Sequence, residues 1–83
     1  MAKPKRRDTG NGTSQRITVE YHVIPNGDRW DVERNDAFTG QFACEVNTAI
    51  GLATASAQRD QNNGANASVC VQQTDGHCQH VWP

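Results

Sequence analysis

The feature that most constrains this chain is a strict two-residue alternation that ends at a turn. Its apolar members are Ile17, Val19, Tyr21 and Val23, and polar residues separate them. This period is typical of a β-strand with one buried face. Pro-Asn-Gly-Asp at residues 25–28 favours a hairpin turn, after which the alternation resumes. Because an isolated hairpin is only marginally stable, the pattern predicts a larger sheet with a covering layer.

Two registers are open for this first hairpin. A two-residue turn at 26–27 places His22 opposite Asp31 and Glu20 opposite Glu33. The second pairing sets like charges against each other, which is mildly unfavourable. A four-residue loop over 26–29 is the alternative. In the first register His22 and Asp31 form a cross-strand surface pair.

The rest of the chain predicts one helix and three further strands. A turn at 35–36 precedes a third strand over 38–42, and residues 68–73 and 78–82 form two more, joined by an Asp75-Gly76 turn. A helix is predicted from Glu45 to Gln61, with Asn62-Asn63-Gly64 as its stop. Its buried stripe is Val46, Ala49, Ile50, Ala53 and Ala57. The order β-β-β-α-β-β predicts a two-layer α+β fold, with one helix packed on one face of an antiparallel sheet.

Charge divides the chain into a basic tail and an acidic body. Residues 1–15 have four basic residues and one acidic residue, a net charge of +3. Residues 16–83 have four arginines, eight acidic residues and no lysine, a net charge of −4. The tail is polar, rich in glycine and aperiodic, so we expect it to be disordered and residues 16–83 to form a single domain. The basic tail residues are Lys3, Lys5, Arg6 and Arg7.

The chain has no apolar run of the roughly 20 residues that a membrane helix needs. Its first residues also lack the apolar stretch of a signal peptide. We therefore expect a cytoplasmic protein without membrane contact. In that compartment Cys44, Cys70 and Cys78 are expected to be reduced thiols.

The segment from Tyr21 to Arg34, YHVIPNGDRWDVER, resembles a family of short bacterial proteins of unknown function. Their hallmark is His-Val-Val-Pro, a Gly-rich loop and Trp-x-Val-Lys-Arg, followed by an Ala-rich helix, a Val-rich strand and Asp-Gly. The resemblance covers roughly residues 21–79. This chain departs from the pattern at Arg29, where the family has Gly, and in its sparsely charged helix. The resemblance implies a fold and no activity.

Four potential metal ligands cluster near the C-terminus: Cys70, His77, Cys78 and His80. With Asp75-Gly76 as a two-residue turn, Cys78 and His80 share one face of the sheet, whereas Cys70 and His77 lie on the other. Ligands split across a sheet cannot converge on one ion. The sequence therefore predicts no metal site, no cofactor and no Cys70–Cys78 disulfide.

No group of residues points firmly to catalysis. Cys44 is the best candidate for a reactive thiol, because it lies at the helix start, where the dipole favours a thiolate. The aromatic residues are expected mostly on the core face, rather than as a nucleic-acid platform among basic residues. They are Tyr21, Trp30, Phe38, Phe42 and Trp82. We therefore predict no catalytic residues.

The outward side of the predicted helix consists mostly of small side chains and lacks charge in its middle, which is unusual for a solvent-facing helix. Its residues are Thr48, Gly51, Leu52, Ala55 and Ser56. We expect this surface to contact a partner protein or a second copy of the chain. The sequence favours a small non-catalytic protein-binding module, such as an inhibitor encoded by a phage or mobile element. A nucleic-acid-associated protein acting through its tail is the alternative, and a thiol enzyme using Cys44 comes third.

Overall fold

A computed structural model describes residues 17–83, which form a five-stranded sheet covered on one face by one helix. The elements are β1 (Thr18–Asn26), β2 (Arg29–Arg34), β3 (Ala37–Ala43), α1 (Val46–Asn62), β4 (Asn66–Gln72) and β5 (Cys78–Trp82). The predicted two-layer α+β architecture and its element order are therefore confirmed. The basic tail, including Lys3, Lys5, Arg6 and Arg7, lies outside the described residues.

The sheet is mixed rather than antiparallel, so that part of the predicted fold is wrong. Its strand order is β3-β2-β1-β4-β5, and the central pair, β1 and β4, is parallel. Two hairpins make β3 run in the direction of β1. The helix then reverses the chain, and β4 starts again at the end of the sheet where β1 starts. A crossover of this length is what a parallel pair requires.

The core consists almost entirely of small side chains. Val19, Val23, Val32 and Val69 are fully buried on the sheet. They face a helix stripe in which Ala49, Ala53 and Ala57 are fully buried. Larger apolar side chains seal the margins and are only partly buried: Val46, Ile50, Leu52, Trp30 and Trp82. Trp30 thus lies on the expected face but at the edge of the core rather than at its centre.

The first hairpin turns at residues 27 and 28, one position later than the Asn-Gly pair, so that Asn26 lies opposite Arg29. This moves the register by two residues, which leaves every side chain on its predicted face. His22 therefore pairs with Glu33 rather than Asp31. The shift also separates Glu20 from Glu33, because the Glu20 backbone now bonds to Asn35. The like-charge conflict of the other register is absent.

The second predicted turn, at residues 35–36, is confirmed. Asn35 and Asp36 both adopt positive φ angles, of 51° and 69°. Two such residues are the signature of the tight turn that matches the twist of a hairpin. Asn35 also caps the neighbouring strand, since its side-chain Oδ1 accepts a hydrogen bond from the Glu20 N–H at 2.8 Å.

The register of the last hairpin differs from the predicted one by a single residue, and this changes the face on which its side chains lie. The loop spans residues 73–77. Inside it the Asp75 side chain accepts a hydrogen bond from the His77 N–H at 2.9 Å. Cys78 therefore lies opposite Gln72 rather than Gln73. A one-residue slip moves side chains to the other face of a sheet. Cys70 and Cys78 come to the same face as a result.

The limits of the helix follow the sequence closely. Glu45 occupies the N-cap position and makes no side-chain capping bond. At the other end the Asn63 N–H bonds to the Arg59 carbonyl at 3.1 Å, and Gly64 has a φ of +98°. The stop at Asn62-Asn63-Gly64 is confirmed. In residues 17–83 no helix is long and apolar enough to cross a membrane.

The alanine stripe generates a matched pair of substitutions. We expect Ala53→Leu to lower the free energy of unfolding by about 1–3 kcal/mol, because a fully buried position against the valine layer has no room for it. Ala55→Leu, on the exposed side of the same helix, should change it by less than about 0.5 kcal/mol. Urea unfolding followed by circular dichroism measures both. Equal effects would show that the helix presents a different face to the sheet.

Candidate functional site

The face of the sheet opposite the helix carries most of the chemically capable side chains. We call it the open face. The strand registers place the following residues on it: Glu20, His22, Ile24, Asp31, Glu33, Phe38, Phe42, Cys70, Cys78 and His80. Two clusters stand out there, one of aromatic rings and arginine and one of histidine and cysteines.

The aromatic cluster is formed by Phe38 and Phe42 of β3 with Arg29 of β2. The guanidinium carbon of Arg29 lies 4.2 Å from the centre of the Phe42 ring and 5.8 Å from that of Phe38. Both rings are about half-exposed, at 50% and 49%. The expectation that these aromatics lie on the core face is wrong for both, because Phe38 pairs with Glu33 and Phe42 with Asp31, so that both rings lie on the face of those carboxylates, away from the helix.

Arg29 is fixed by a carboxylate as well as by the rings. Its Nε lies 2.8 Å from Asp31 Oδ1, although the two are not aligned for a hydrogen bond. The second oxygen of Asp31 accepts a bond from Asn26 Nδ2 at 2.8 Å. Asp31 therefore serves Arg29 and not His22, so the predicted His22–Asp31 pair is absent. The result is an ordered cation between two exposed rings.

The second cluster joins three strands. A ring nitrogen of His22 on β1 and the sulfurs of Cys70 on β4 and Cys78 on β5 all lie within 4.8 Å of one another. Cys70 and Cys78 form a disulfide, with their Cα atoms 5.7 Å apart. The predictions of separated faces and of no disulfide are therefore wrong for this pair, because they depended on pairing Gln73 rather than Gln72 with Cys78. The expectation of reduced thiols, which rested on the expected compartment, is wrong for this pair too. Cys44 is the free cysteine of residues 17–83, and it is exposed before the helix.

A third polar cluster lies near the C-terminal end of α1 and connects the helix to the sheet. The Tyr21 hydroxyl donates to Asp60 Oδ2 at 2.5 Å, and Arg34 Nε lies 3.3 Å from the same oxygen. The hydrogen bond from Tyr21, assisted by Arg34, holds the pKa of Asp60 below its usual value. Burial, with the same bond, raises the pKa of Tyr21. A weak base beside a weak acid suits structural pairing better than proton transfer near neutral pH.

The outward helix surface matches its prediction only in part. Thr48, Gly51 and Ala55 are exposed, but Ser56 is partly buried. Leu52 is partly buried and packs against the core, so less of its side chain is available to a partner than its place on the outward side predicts. The apolar side of a helix that packs on a sheet is wide, and it extends to Leu52. A Cβ added at Gly51 would meet nothing within 4 Å, so the fold itself does not require glycine there.

Sequence reasoning missed the two open-face clusters for different reasons. The faces of Phe38 and Phe42 follow from the predicted turn at 35–36, which sets Phe38 opposite Glu33, so this cluster was accessible from the sequence. The cluster of Cys70 and Cys78 depends on the five-residue loop, which changes the parity of the register. The Asp75-Gly76-His77 segment did contain a signal for that loop, because an Asp side chain that bonds to the backbone two residues later favours a longer loop.

Comparisons with family models, curated proteins and solved structures found no match to this chain.

The Tyr21–Asp60 bond predicts a pH-dependent stability difference. At pH 7 we expect Tyr21→Phe to lower the free energy of unfolding by about 1.5 kcal/mol, the low end for a bond to a charged acceptor. Because the pKa of Asp60 is lowered in the folded state, this contribution should be fully present above the ordinary value of 3.8 and be lost progressively as the pH falls from there through the lowered pKa of the folded state. Urea unfolding of both proteins at pH 7 and pH 3 measures it. A difference that persists unchanged at pH 3 would contradict the assignment.

Proposed function

We propose that residues 17–83 form a non-catalytic domain that binds a partner protein through its open face. The observation that carries this proposal is the pair of half-exposed rings, Phe38 and Phe42, on either side of Arg29. Exposed large apolar groups cost a small domain solubility, and grouped ones commonly mark a contact surface. Aromatic residues and arginine are also the side chains most enriched at the energetic centres of protein interfaces.

The order of this cluster supports the same interpretation. A flexible arginine loses much rotamer freedom when a partner immobilises it, which weakens binding. In this protein Asp31 and two rings already hold Arg29 in place. Asp31 is held in turn by Asn26. The cluster is thus preorganised, and less side-chain entropy of Arg29 is lost when a partner covers it.

The charge of the open face favours a protein over a nucleic acid. Glu20, Asp31 and Glu33 lie among its residues, and residues 16–83 contain no lysine. Phosphate backbones are bound mainly by lysine and arginine, whereas this surface offers Arg29, which is already paired with Asp31. Binding of nucleic acid through Lys3, Lys5, Arg6 and Arg7 remains the alternative hypothesis.

Two features support a non-catalytic role. The titratable groups with clearly shifted pKa values in residues 17–83, Tyr21, Arg34 and Asp60, belong to the contact between the helix and the sheet. Their shifts move each group away from proton exchange at neutral pH. An inhibitor from a phage or mobile element stays a hypothesis about what such binding achieves.

The outward helix surface is a second candidate for the contact with a partner or a second copy. Gly51 supports it, because glycine in a helix interior costs about 1 kcal/mol relative to alanine and nothing inside the fold requires it. Thr48 and Ala55 extend this exposed, uncharged strip. It has less apolar area than the aromatic cluster, since Leu52 turns toward the core.

Substitutions on each surface separate these proposals. We expect Phe42→Ser to weaken capture of the partner by at least about 30-fold, the effect of losing a central interface residue worth about 2 kcal/mol. Gln41→Ser, at an exposed neighbour on the same strand, is the matched control and should leave capture unchanged. Pull-down from nuclease-treated lysate of the source cell, followed by titration with the purified partner, measures the effect. Circular dichroism should show both variants folded.

Other outcomes identify the competing surfaces. Loss of binding in Ala55→Arg with full binding in Phe42→Ser would assign the contact to the helix and reject the open face. Light scattering of the same variants tests whether a second copy is the occupant. If deletion of residues 1–15 abolishes capture, and untreated lysate is needed for it, the nucleic-acid alternative holds instead.

A further inference from the structure

The cluster of His22, Cys70 and Cys78 has a chemistry that the proposed binding surface does not use. We propose that, once the Cys70–Cys78 disulfide is reduced, these three residues bind one Zn²⁺ ion, with water as the fourth ligand. Two cysteines and one histidine are a ligand set that zinc favours, and three protein ligands with one open position are a recurring arrangement.

The distances suit such a site. Zinc–sulfur bonds of about 2.3 Å and zinc–nitrogen bonds of about 2.0 Å place tetrahedral ligand atoms roughly 3.5–3.8 Å apart. The nitrogen of His22 lies within 4.8 Å of both sulfurs, which the disulfide now holds in bonding contact. After reduction the two sulfurs must move apart to the tetrahedral spacing, and rotation of the Cys78 side chain can supply that movement. Cys78 is exposed and can rotate freely, whereas Cys70 is buried and His22 is partly buried. Two of the three ligands are thus already held by the fold.

The surroundings of His22 also fit metal ligation. Its Nε2 lies 3.7 Å from Glu20 Oε1, and its Nδ1 lies 4.0 Å from Asp36 Oδ1. A metal-bound histidine usually donates its other ring N–H to a carboxylate, which fixes the ring and strengthens the ligand. In this protein whichever nitrogen binds the metal leaves the other with a carboxylate nearby.

The metal and the disulfide exclude each other, so the site depends on redox state. Two equivalents of a thiol, such as glutathione, reduce the disulfide: two electrons and two protons pass to Cys70 and Cys78, and the donor leaves as its own disulfide. Binding of Zn²⁺ then displaces the two thiol protons to water. Oxidation would expel the ion by the reverse steps. A reducing compartment such as the cytoplasm would therefore favour the metal form, and an oxidising one the disulfide.

Cobalt(II) is the probe for this site, because thiolate-bound tetrahedral Co²⁺ absorbs characteristically in the near ultraviolet and visible. The full chain is reduced with a phosphine, freed of reductant without oxygen, and titrated. We expect one equivalent of Co²⁺ to give the thiolate charge-transfer band, and one equivalent of Zn²⁺ to remove it. The disulfide form should not show the charge-transfer band with Co²⁺ either below or above one equivalent.

Variants test each ligand against a matched residue outside the cluster. His22→Gln should weaken Co²⁺ binding at least about tenfold, by analogy with the loss of supporting groups around metal sites. Cys78→Ser should lower the charge-transfer intensity, and being exposed it should leave the fold intact. His77→Gln and Cys44→Ser are the controls and should bind as the parent does.

The proposal is overturned if reduced protein binds no more Co²⁺ than oxidised protein, or if His22→Gln binds as tightly as the parent. Loss of the band in Cys44→Ser would overturn it too, because the site would then lie elsewhere. The test is independent of partner binding, since Co²⁺ absorption is read on the isolated chain.

Discussion

Packing of a narrow alanine stripe on a layer of valines is the interaction on which the rest of this structure depends. Ala49, Ala53 and Ala57 carry no side chain beyond Cβ, so the helix approaches the sheet closely. That contact buries the apolar face of β1, β2 and β4 at once. It also requires the chain to cross from β3 at one edge to β4 beside β1, which makes the central pair parallel. The core is small, as expected for a chain of this length, and Tyr21 and Asp60 reinforce it at its rim.

Within residues 17–83 a single helix covers a single face, and no other element covers the open face. The open face holds an arginine between two phenylalanine rings toward β3, and a histidine beside two cysteines toward β5. His22 on the central strand lies between the two regions. The proposed contact surface and the proposed redox-dependent ligand set thus share one face of the sheet, where neighbouring strands fix the spacing of their groups.

Periodicity and turn chemistry predicted the order of the elements, the limits of the helix and the buried stripe, because each of these is encoded locally. Registers were less accessible. A shift of two residues in the first hairpin kept all faces correct, whereas one extra loop residue at Gln73–His77 inverted the relation of Cys70 to Cys78. The parity of a register, rather than its exact value, decides which side chains share a face. The outward rings of Phe38 and Phe42 were accessible in this way, because the turn at 35–36 sets Phe38 opposite Glu33, and the bulge opposite Val32 is an even shift that keeps both rings on that face.

The bulge opposite Val32 also bears on how the sheet edges of neighbouring molecules can pair. Residues 39–41 of β3 oppose Val32 alone, Gly40 has a φ of +89°, and the Thr39 hydroxyl bonds to the Val32 carbonyl at 2.8 Å. The outer edge of β3 is therefore kinked rather than straight. At the opposite edge the pairing of β5 also slips, between Val69 and Cys70. Straight, regular edges are templates for the stacking of one chain on the next, and kinked ones are not. In residues 17–83 both edges of the sheet thus carry an irregularity, which disfavours edge-to-edge stacking of a domain with two half-exposed phenylalanine rings on its face.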